Sequence, residues 1–225
     1  IVPALDYLTA SNRKSLGDEV ADFDSGLLNA EGRDVVVIGG GDTAMDCVRT
    51  AIRQKANSVT CLYRRDRANM PGSQREVANA EEEGVDFRWL SAPQAFLGDN
   101  HVRAVQAQKI HLGQPDATGR QVPQIIEDSS HEIPADLVIK ALGFDPEDIP
   151  TMFGAPELEV SKWGTIGVDW RTMMTNLPGV FAAGDIVRGA SLVVWGVRDG
   201  RDAAESIHSY IMAQSEAPRV AAAGA

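Results

Sequence analysis

The chain has 225 residues, 44% of them hydrophobic and 24% charged, which is an ordinary balance for one large globular domain or two modest ones. Its formal net charge of −11 repels phosphate backbones, so we expect no nucleic-acid partner. No apolar run reaches the roughly 20 residues that cross a bilayer and no signal peptide opens the chain, so we expect no membrane contact.

The first half of the chain alternates strand and helix patterns. Residues 1–30 contain a helix-forming stretch around Tyr7 and an acidic loop from Asp18 to Asp24. Residues 35–38 form a continuous β-branched run, which is typical of a strand buried on both faces of a parallel sheet. This order predicts a doubly wound α/β domain of the Rossmann type. Its further predicted elements are helices at 42–54 and 73–83 and strands at 58–63 and 85–90.

The second half is less regular. Residues 94–128 predict an antiparallel β insertion, with strands at 102–110 and 121–127 joined by a turn at 114–119. A buried strand at 137–141 completes the first domain, which we place at 31–144. Beyond it we expect short strands at 165–169 and 180–183 and a long helix at 191–212. Residues 214–225 are Ala-rich without an apolar period, and we expect a disordered tail.

A glycine motif, Gly39-x-Gly41-x-x-Ala44, lies between the first buried strand and the following helix. The first glycine permits a tight turn, the second lets the backbone approach a pyrophosphate, and the small third residue lets helix and strand pack closely. The helix that starts near Asp42 points its unpaired N–H groups at the phosphates. A plain tight turn is the alternative, but the position between strand and helix favours a dinucleotide site.

The end of the second strand indicates which dinucleotide is bound. NAD sites usually place an acidic residue there for the ribose 2′-hydroxyl, whereas arginines accommodate a 2′-phosphate. Here the strand ends in Arg64-Arg65-Asp66-Arg67, and a guanidinium is a planar fork of donors that suits a phosphate dianion. The alternative is a solvated loop whose arginines pair with Asp66 or with residues 81–83. The glycine motif upstream favours NADP(H).

A second motif predicts a flavin site. A small-residue strand ends in Gly184-Asp185, where a carboxylate beside an uncrowded backbone suits hydrogen bonds to a polyol such as the ribityl chain. Ser191 then opens the last long helix, whose N-terminal amides would stabilise negative charge on the flavin ring. The alternative is an aspartate that caps a loop before a helix. The position of the Gly184-Asp185 motif downstream of a nucleotide-binding fold favours an FAD site.

Cysteines and histidines predict neither a metal site nor a catalytic side chain. Cys47 and Cys61 are too few for an iron–sulfur cluster and do not form a C-x-x-C pair, so we expect two buried thiols in a reducing, cytoplasmic compartment. The four histidines lack metal spacing. Hydride transfer between a nicotinamide and a flavin requires stacked rings rather than an acid–base pair, so we name no catalytic residue.

Together these motifs resemble the small (β) subunit of bacterial glutamate synthase, within the superfamily of FAD- and NAD(P)-dependent pyridine nucleotide-disulfide oxidoreductases. The resemblance covers about residues 1–212. The segments that carry it are VIGGGDTAMD (37–46), YRRDRANMPG (63–72), ALGF (141–144), GDIVRGASLVVW (184–195) and DGRDAA (199–204).

The resemblance implies two sets of binding residues. Those implied for NADP(H) are Gly39, Gly40, Gly41, Asp42, Thr43 and Gly143, with Arg64 and Arg65 on the 2′-phosphate. Those implied for FAD are Gly184, Asp185, Ser191, Leu192 and Val193. The implied fold is an NAD(P)-binding domain inserted in a partial FAD-binding domain, the latter formed by residues 1–30 and 145–213.

The implied activity is hydride transfer from NADPH to FAD. Electrons would continue to iron–sulfur clusters and to the glutamate synthase large subunit, for L-glutamate biosynthesis. The family's first FAD-binding glycine motif and its cluster-binding cysteines precede the segment seen here, so we expect a missing N-terminal region. Alternatives are a related flavin subunit that donates electrons to ferredoxin, and a non-catalytic NADP(H)-binding module. A thioredoxin-reductase-like role is disfavoured without a C-x-x-C pair.

The sequence departs from the family pattern at two positions. Lys55 replaces a usual helix-ending glycine, and Gly196 replaces a usual alanine. We expect the first to strain the backbone if position 55 is left-handed, and the second to loosen its helix by about 1 kcal/mol.

Overall fold

A computed structural model of the chain describes residues 1–115 and 121–216, which form two compact units. The first unit is Ile1–Gly143 and the second begins at Phe144. The strands of the first unit are β1 (Val2–Pro3), β2 (Asp34–Ile38), β3 (Ser58–Leu62), β4 (Asp86–Arg88), β5 (Ser91–Leu97), β6 (Ala104–Pro115), β7 (Gln121–Ile125), β8 (His131–Pro134) and β9 (Leu137–Lys140). Its helices are α1 (Ala4–Ser15), α2 (Ala21–Asp24), α3 (Asp42–Arg53) and α4 (Gln74–Glu82).

A five-stranded parallel sheet organises the first unit, in the order β1-β9-β2-β3-β4. Ile38 at the end of β2 aligns with Leu62 of β3 on one side and with Lys140 of β9 on the other. The chain moves from β2 through α3 to β3, whereas β9 returns on the opposite side of β2. The strand order therefore reverses at β2, and such a switch point leaves a crevice at the carboxyl edge of a parallel sheet.

Strand β2 is buried on both faces, as its β-branched run predicted. Val35 and Val37 pack on one face in a cluster with helices α1, α3 and α4. Val36 and Ile38 pack on the other face, where the covering residues, such as Val105 and Ile133, come from the β insertion. The α/β class with an antiparallel insertion is therefore confirmed.

The insertion is built around β6, which pairs antiparallel with β5, β7 and β8. Strand β5 follows β4 almost directly and was not predicted as a strand of its own. Its sequence contains Pro93 and Ala95 at an irregularity in the pairing with β6, and such a bulge breaks the regular alternation that marks a strand. The predicted turn at 114–119 lies largely outside the described residues.

Residues 1–30 pack with the first unit, and their place in an FAD-binding domain stays a prediction. The acidic loop also contains the short helix α2. Gln54, directly after α3, connects residues 1–30 to this helix. Its Oε1 accepts from Tyr7 Oη at 3.0 Å and from the Ala30 N–H at 2.8 Å. Tyr7 itself is fully buried. The apolar face of α1 is evident in the sequence, but an amphipathic pattern does not say which surface covers it.

The second unit contains α5 (Ile149–Met152), α6 (Asp185–Arg188) and α7 (Val193–Glu216). The strands predicted at 165–169 and 180–183 are wrong, because these segments form only isolated bridges at Ile166, Asp169 and Phe181. No extended partner strand runs beside them in the described part of this unit.

Helix α7 begins two residues later than predicted and continues to Glu216. The predicted tail is therefore wrong for residues 214–216, while 217–225 lie outside the described residues. Helix formers such as Gln214 and Glu216 extend a helix without any apolar period, which is why periodicity missed them.

Lys55 has the left-handed backbone considered from the sequence, with φ of 64° directly after α3. Its side chain is exposed. We expect Lys55→Gly to raise the free energy of unfolding of the first unit by about 1 kcal/mol, because glycine adopts this conformation without Cβ strain. The urea midpoint measures this. Lys55→Ala is the control and should bring no gain, since alanine keeps the Cβ.

Candidate functional site

The glycine turn after β2 is shaped by two very close backbone approaches. A Cβ on Gly39 would lie 2.1 Å from the carbonyl oxygen of Ala141, and Gly39 has φ of 148°. A Cβ on Gly40 would lie 2.4 Å from the ring of Tyr63. Gly41 differs, because a Cβ there would meet nothing within 4 Å and its φ of −89° suits any residue. The fold requires the first two glycines, whereas only an approaching ligand would require the third.

The turn presents unpaired backbone donors. The carbonyl oxygen of Gly41 accepts the first bonds of α3, from Ala44 N–H at 2.9 Å and Met45 N–H at 3.2 Å. The N–H groups of Gly41, Asp42 and Thr43 donate to no described residue. Adjacent unpaired amides at the N-terminus of a 12-residue helix favour an anion through both hydrogen bonds and the helix dipole.

The predicted arginines lie at the end of β3, one strand away from the turn. Arg64 is exposed and makes no hydrogen bond or ion pair with the described residues. Arg65 donates from Nη2 to the carbonyl oxygen of Gln121 at 2.9 Å, so part of its donor set already holds strand β7. Arg67 pairs with Glu81 at 2.8 Å. Such a pairing is what the alternative interpretation, a solvated loop, predicted for these arginines. Arg64 is the guanidinium most open to a ligand.

Gly143 follows β9, the strand on the other side of β2. It is exposed and has φ of 106°, and a Cβ there would meet nothing within 4 Å. The structure thus brings the predicted NADP(H) residues to the carboxyl ends of three adjacent parallel strands, β9, β2 and β3. This is the edge at which parallel α/β sheets bind ligands.

Sequence reasoning missed the segment that lies against the turn, residues 66–73. The Gly72 N–H donates to the Gly40 carbonyl oxygen at 2.9 Å. The Ser73 N–H donates to Asp42 Oδ1 at 2.8 Å. Tyr63 Oη donates to the Asn69 carbonyl oxygen at 3.0 Å. The available signal in the sequence was Gly72, because a glycine in a polar loop can mark a close backbone approach. In the structure Gly72 is buried.

The two thiols beside this site are unreactive by environment. Cys47 and Cys61 are fully buried and unpaired. Burial raises the pKa of each thiol to about 12, because a thiolate would lose its hydration. Burial therefore disfavours the thiolate form of both cysteines near neutral pH.

The predicted flavin residues lie in the second unit, on either side of α6. Gly184 and Gly189 both have φ of 80°, a conformation that favours glycine. Asp185 is exposed, and no described residue hydrogen-bonds to its carboxylate. Its carbonyl oxygen accepts from the Gly189 N–H at 2.8 Å, which closes the turn. The carboxylate is free to accept from hydroxyl groups.

Ser191, Leu192 and Val193 lead into α7 and are exposed. The Leu192 carbonyl oxygen accepts from the Trp195 N–H at 2.9 Å, so the helix has its first hydrogen bond there. Leu192 is 63% and Val193 83% exposed, which is high for apolar side chains.

An ion pair between the partly exposed Arg188 and the buried Asp199 supports this region and was not predicted. The Arg188 guanidinium donates to both carboxylate oxygens of Asp199, at 2.5 and 2.7 Å, and Asp199 is 1% exposed. The same guanidinium lies over the rings of both Trp170 and Trp195, at 4.9 and 5.2 Å from their centres. The hydrogen bonds from Arg188, with a further one from the Gly184 backbone, lower the pKa of Asp199. Asp199 thereby ties α7 to the Gly184 turn.

Two classes of site are missing from the described residues. No group of three or more histidine, cysteine, aspartate or glutamate side chains is arranged to hold a metal ion among residues 1–115 and 121–216. Within the same ranges, no helix combines the length and apolar character needed to cross a membrane.

Comparison with known families decides the classification. Residues 5–217 match the family described as pyridine nucleotide-disulphide oxidoreductase. The chain belongs to this family. A similar fold is found in FprA from Mycobacterium tuberculosis, which superposes on the chain with a TM-score of 0.75, at 16% identity, over 96% of this chain and 59% of FprA. The predicted fold class is therefore confirmed.

The resemblance stated from the motifs is also confirmed. The chain is 69% identical to the glutamate synthase [NADPH] small chain of Azospirillum brasilense, over 99% of this chain and 46% of the relative. It is 43% identical to the corresponding small chain of Escherichia coli, over 94% of this chain and 45% of the relative. The chain thus spans about half the length of these curated relatives.

Proposed function

We propose that the chain binds NADPH at the Gly39–Thr43 turn and a flavin at residues 184–193, as part of an NADPH-dependent flavin oxidoreductase. The observation that carries this proposal is the row of three unpaired amides, from Gly41 to Thr43, at the switch point of a parallel sheet. Arg64 lies at the next strand end, one strand from these amides. A diphosphate at the turn and a 2′-phosphate near Arg64 match this spacing of donors.

The residues present fit the nucleotide. Gly41 has no Cβ in the approach to the amides, so the backbone is accessible to phosphate oxygens. Thr43 adds a hydroxyl on the first turn of α3. Because the whole chain is strongly acidic, with a net charge of −11, this local donor set must overcome an unfavourable overall field.

The second unit fits the polyol and ring of a flavin. Asp185 offers an unpaired carboxylate at a glycine turn, and the amides at the start of α7 offer positive potential. When both groups are bound, they would supply hydride-transfer chemistry. In this proposal the chain's own residues bind and orient the two groups, without a side-chain acid or base.

The similarity to small chains of glutamate synthase supports a place in glutamate biosynthesis. In this proposal the electrons leave the flavin for iron–sulfur clusters outside residues 1–225 and then for the glutamate synthase large subunit. A cytoplasmic location is part of the proposal and agrees with two unpaired, buried thiols.

Equilibrium titration of the chain with NADPH and with NADH tests the nucleotide assignment. We expect NADPH to bind more tightly by about 1–3 kcal/mol for each charge-assisted contact to the 2′-phosphate. Equal affinities would remove the NADP assignment. The visible absorbance of the purified chain tests the flavin separately: bound flavin supports the oxidoreductase, and its absence favours an NADP(H)-binding module.

A further inference from the structure

Asp42 is the one acidic side chain among the residues proposed at the nucleotide turn. Its backbone N–H suits a diphosphate, but its carboxylate does not, because the negative carboxylate and a negative diphosphate repel each other. Asp46, one turn further along α3, adds to this negative charge: partial burial first, and then Asp42, raise the pKa of Asp46. A carboxylate at position 42 therefore opposes anion binding, and its presence needs another explanation.

The contacts of Asp42 indicate that role. Its Oδ1 accepts from the Ser73 N–H at 2.8 Å. The neighbouring Gly72 N–H donates to the Gly40 carbonyl oxygen at 2.9 Å. These two bonds fasten the end of segment 66–73 to both sides of the glycine turn.

Gly72 lies beside the unpaired donors themselves. A Cβ at Gly72 would be 3.0 Å from the Gly40 carbonyl oxygen and 3.6 Å from the Asp42 nitrogen. Gly72 is buried, so the segment already covers one side of the amide row. The position of Ser73 thus determines how open this side of the turn is.

We propose that Asp42 is a positioning residue whose carboxylate holds segment 66–73 against the glycine turn, where the segment forms a second wall of the nucleotide site. The proposal rests on the NADPH site proposed above. The carboxylate acts through the Ser73 amide and does not touch the phosphates. Its unfavourable charge is retained because it keeps the wall in place.

Paired substitutions separate the acceptor from the charge. Asp42→Asn and Asp42→Ala both remove the charge, but only asparagine keeps an oxygen that can accept from Ser73. We expect NADPH to bind the Asn variant about fivefold more tightly than the Ala variant, as the loss of one exposed hydrogen bond implies. Asp46→Asn and Asp46→Ala are the matched controls, and their two affinities should agree.

Amide hydrogen exchange gives a readout that needs no nucleotide. Ser73 should exchange faster in Asp42→Ala than in Asp42→Asn. Gly72→Ala provides a second route, since its Cβ pushes against the turn's backbone and should weaken NADPH binding about tenfold.

The outcomes distinguish this inference from the proposed function. If the unmodified chain binds NADPH but the Asn and Ala variants at position 42 have equal affinities and equal Ser73 exchange, the positioning role is overturned alone. If the unmodified chain does not bind NADPH, the proposed function fails, and the second wall fails with it.

Discussion

Replacing Gly41 with alanine is expected to weaken NADPH binding at least tenfold while changing the free energy of unfolding by less than about 1 kcal/mol. The added Cβ meets nothing within 4 Å, and a φ of −89° allows any residue, so the fold tolerates it. The methyl group nevertheless lies at the approach to the unpaired amides. Titration calorimetry and urea unfolding of the same protein measure the two effects.

Gly39→Ala is the matched contrast to Gly41→Ala. Its Cβ would lie 2.1 Å from the Ala141 carbonyl oxygen, at a φ that alanine rarely adopts. We expect destabilisation by about 3 kcal/mol or more, with loss of binding as a consequence. If Gly41→Ala kept full NADPH affinity, the diphosphate would not contact this turn.

Replacing Arg64 with alanine is expected to remove most of the preference for NADPH over NADH. Arg64 is exposed and makes no bond to the described residues, so its loss leaves the fold intact while a 2′-phosphate loses a charge-assisted partner. The expected loss is about 1–3 kcal/mol in NADPH binding, with NADH affinity unchanged. The ratio of the two dissociation constants is the measurement.

Arg67→Ala is the control for Arg64→Ala, because Arg67 belongs to the same loop but pairs with Glu81 at 2.8 Å. Its removal should leave the ratio of dissociation constants as it was. Since Arg65 donates to Gln121, Arg65→Ala should also loosen strand β7 and is the less clean test. If the Arg64→Ala variant still prefers NADPH over NADH, another residue must bind the 2′-phosphate.

The first unit of the fold could largely be predicted from patterns in the sequence. The run at 35–38 is β-branched throughout because β2 is covered on both faces, and the glycines at 39 and 40 are required by contacts with Ala141 and Tyr63. Each requirement restricts the residue type at a single position, and a substitution there would be costly. The residue types at these positions are therefore recognisable in the sequence.

Contacts between distant segments could not be predicted in the same way. The bond from Ser73 to Asp42 joins residues 31 positions apart, and many polar residues could make it. The pair of Arg188 and Asp199 was visible only as two charges in two separate motifs. The bridges around residues 166–181 carry strand-like sequence but pair at single positions, because strand propensity depends on neighbours.

The covering of β2 by helices on one face and a β insertion on the other has a consequence for ligand capture. Opening such a strand would expose apolar surface on both of its faces, so we expect its end to stay ordered. A dinucleotide that meets the amides at this strand end spends little of its interaction free energy on ordering the protein. Affinity at this edge should depend on the chemistry of the ligand more than on adjustment of the chain.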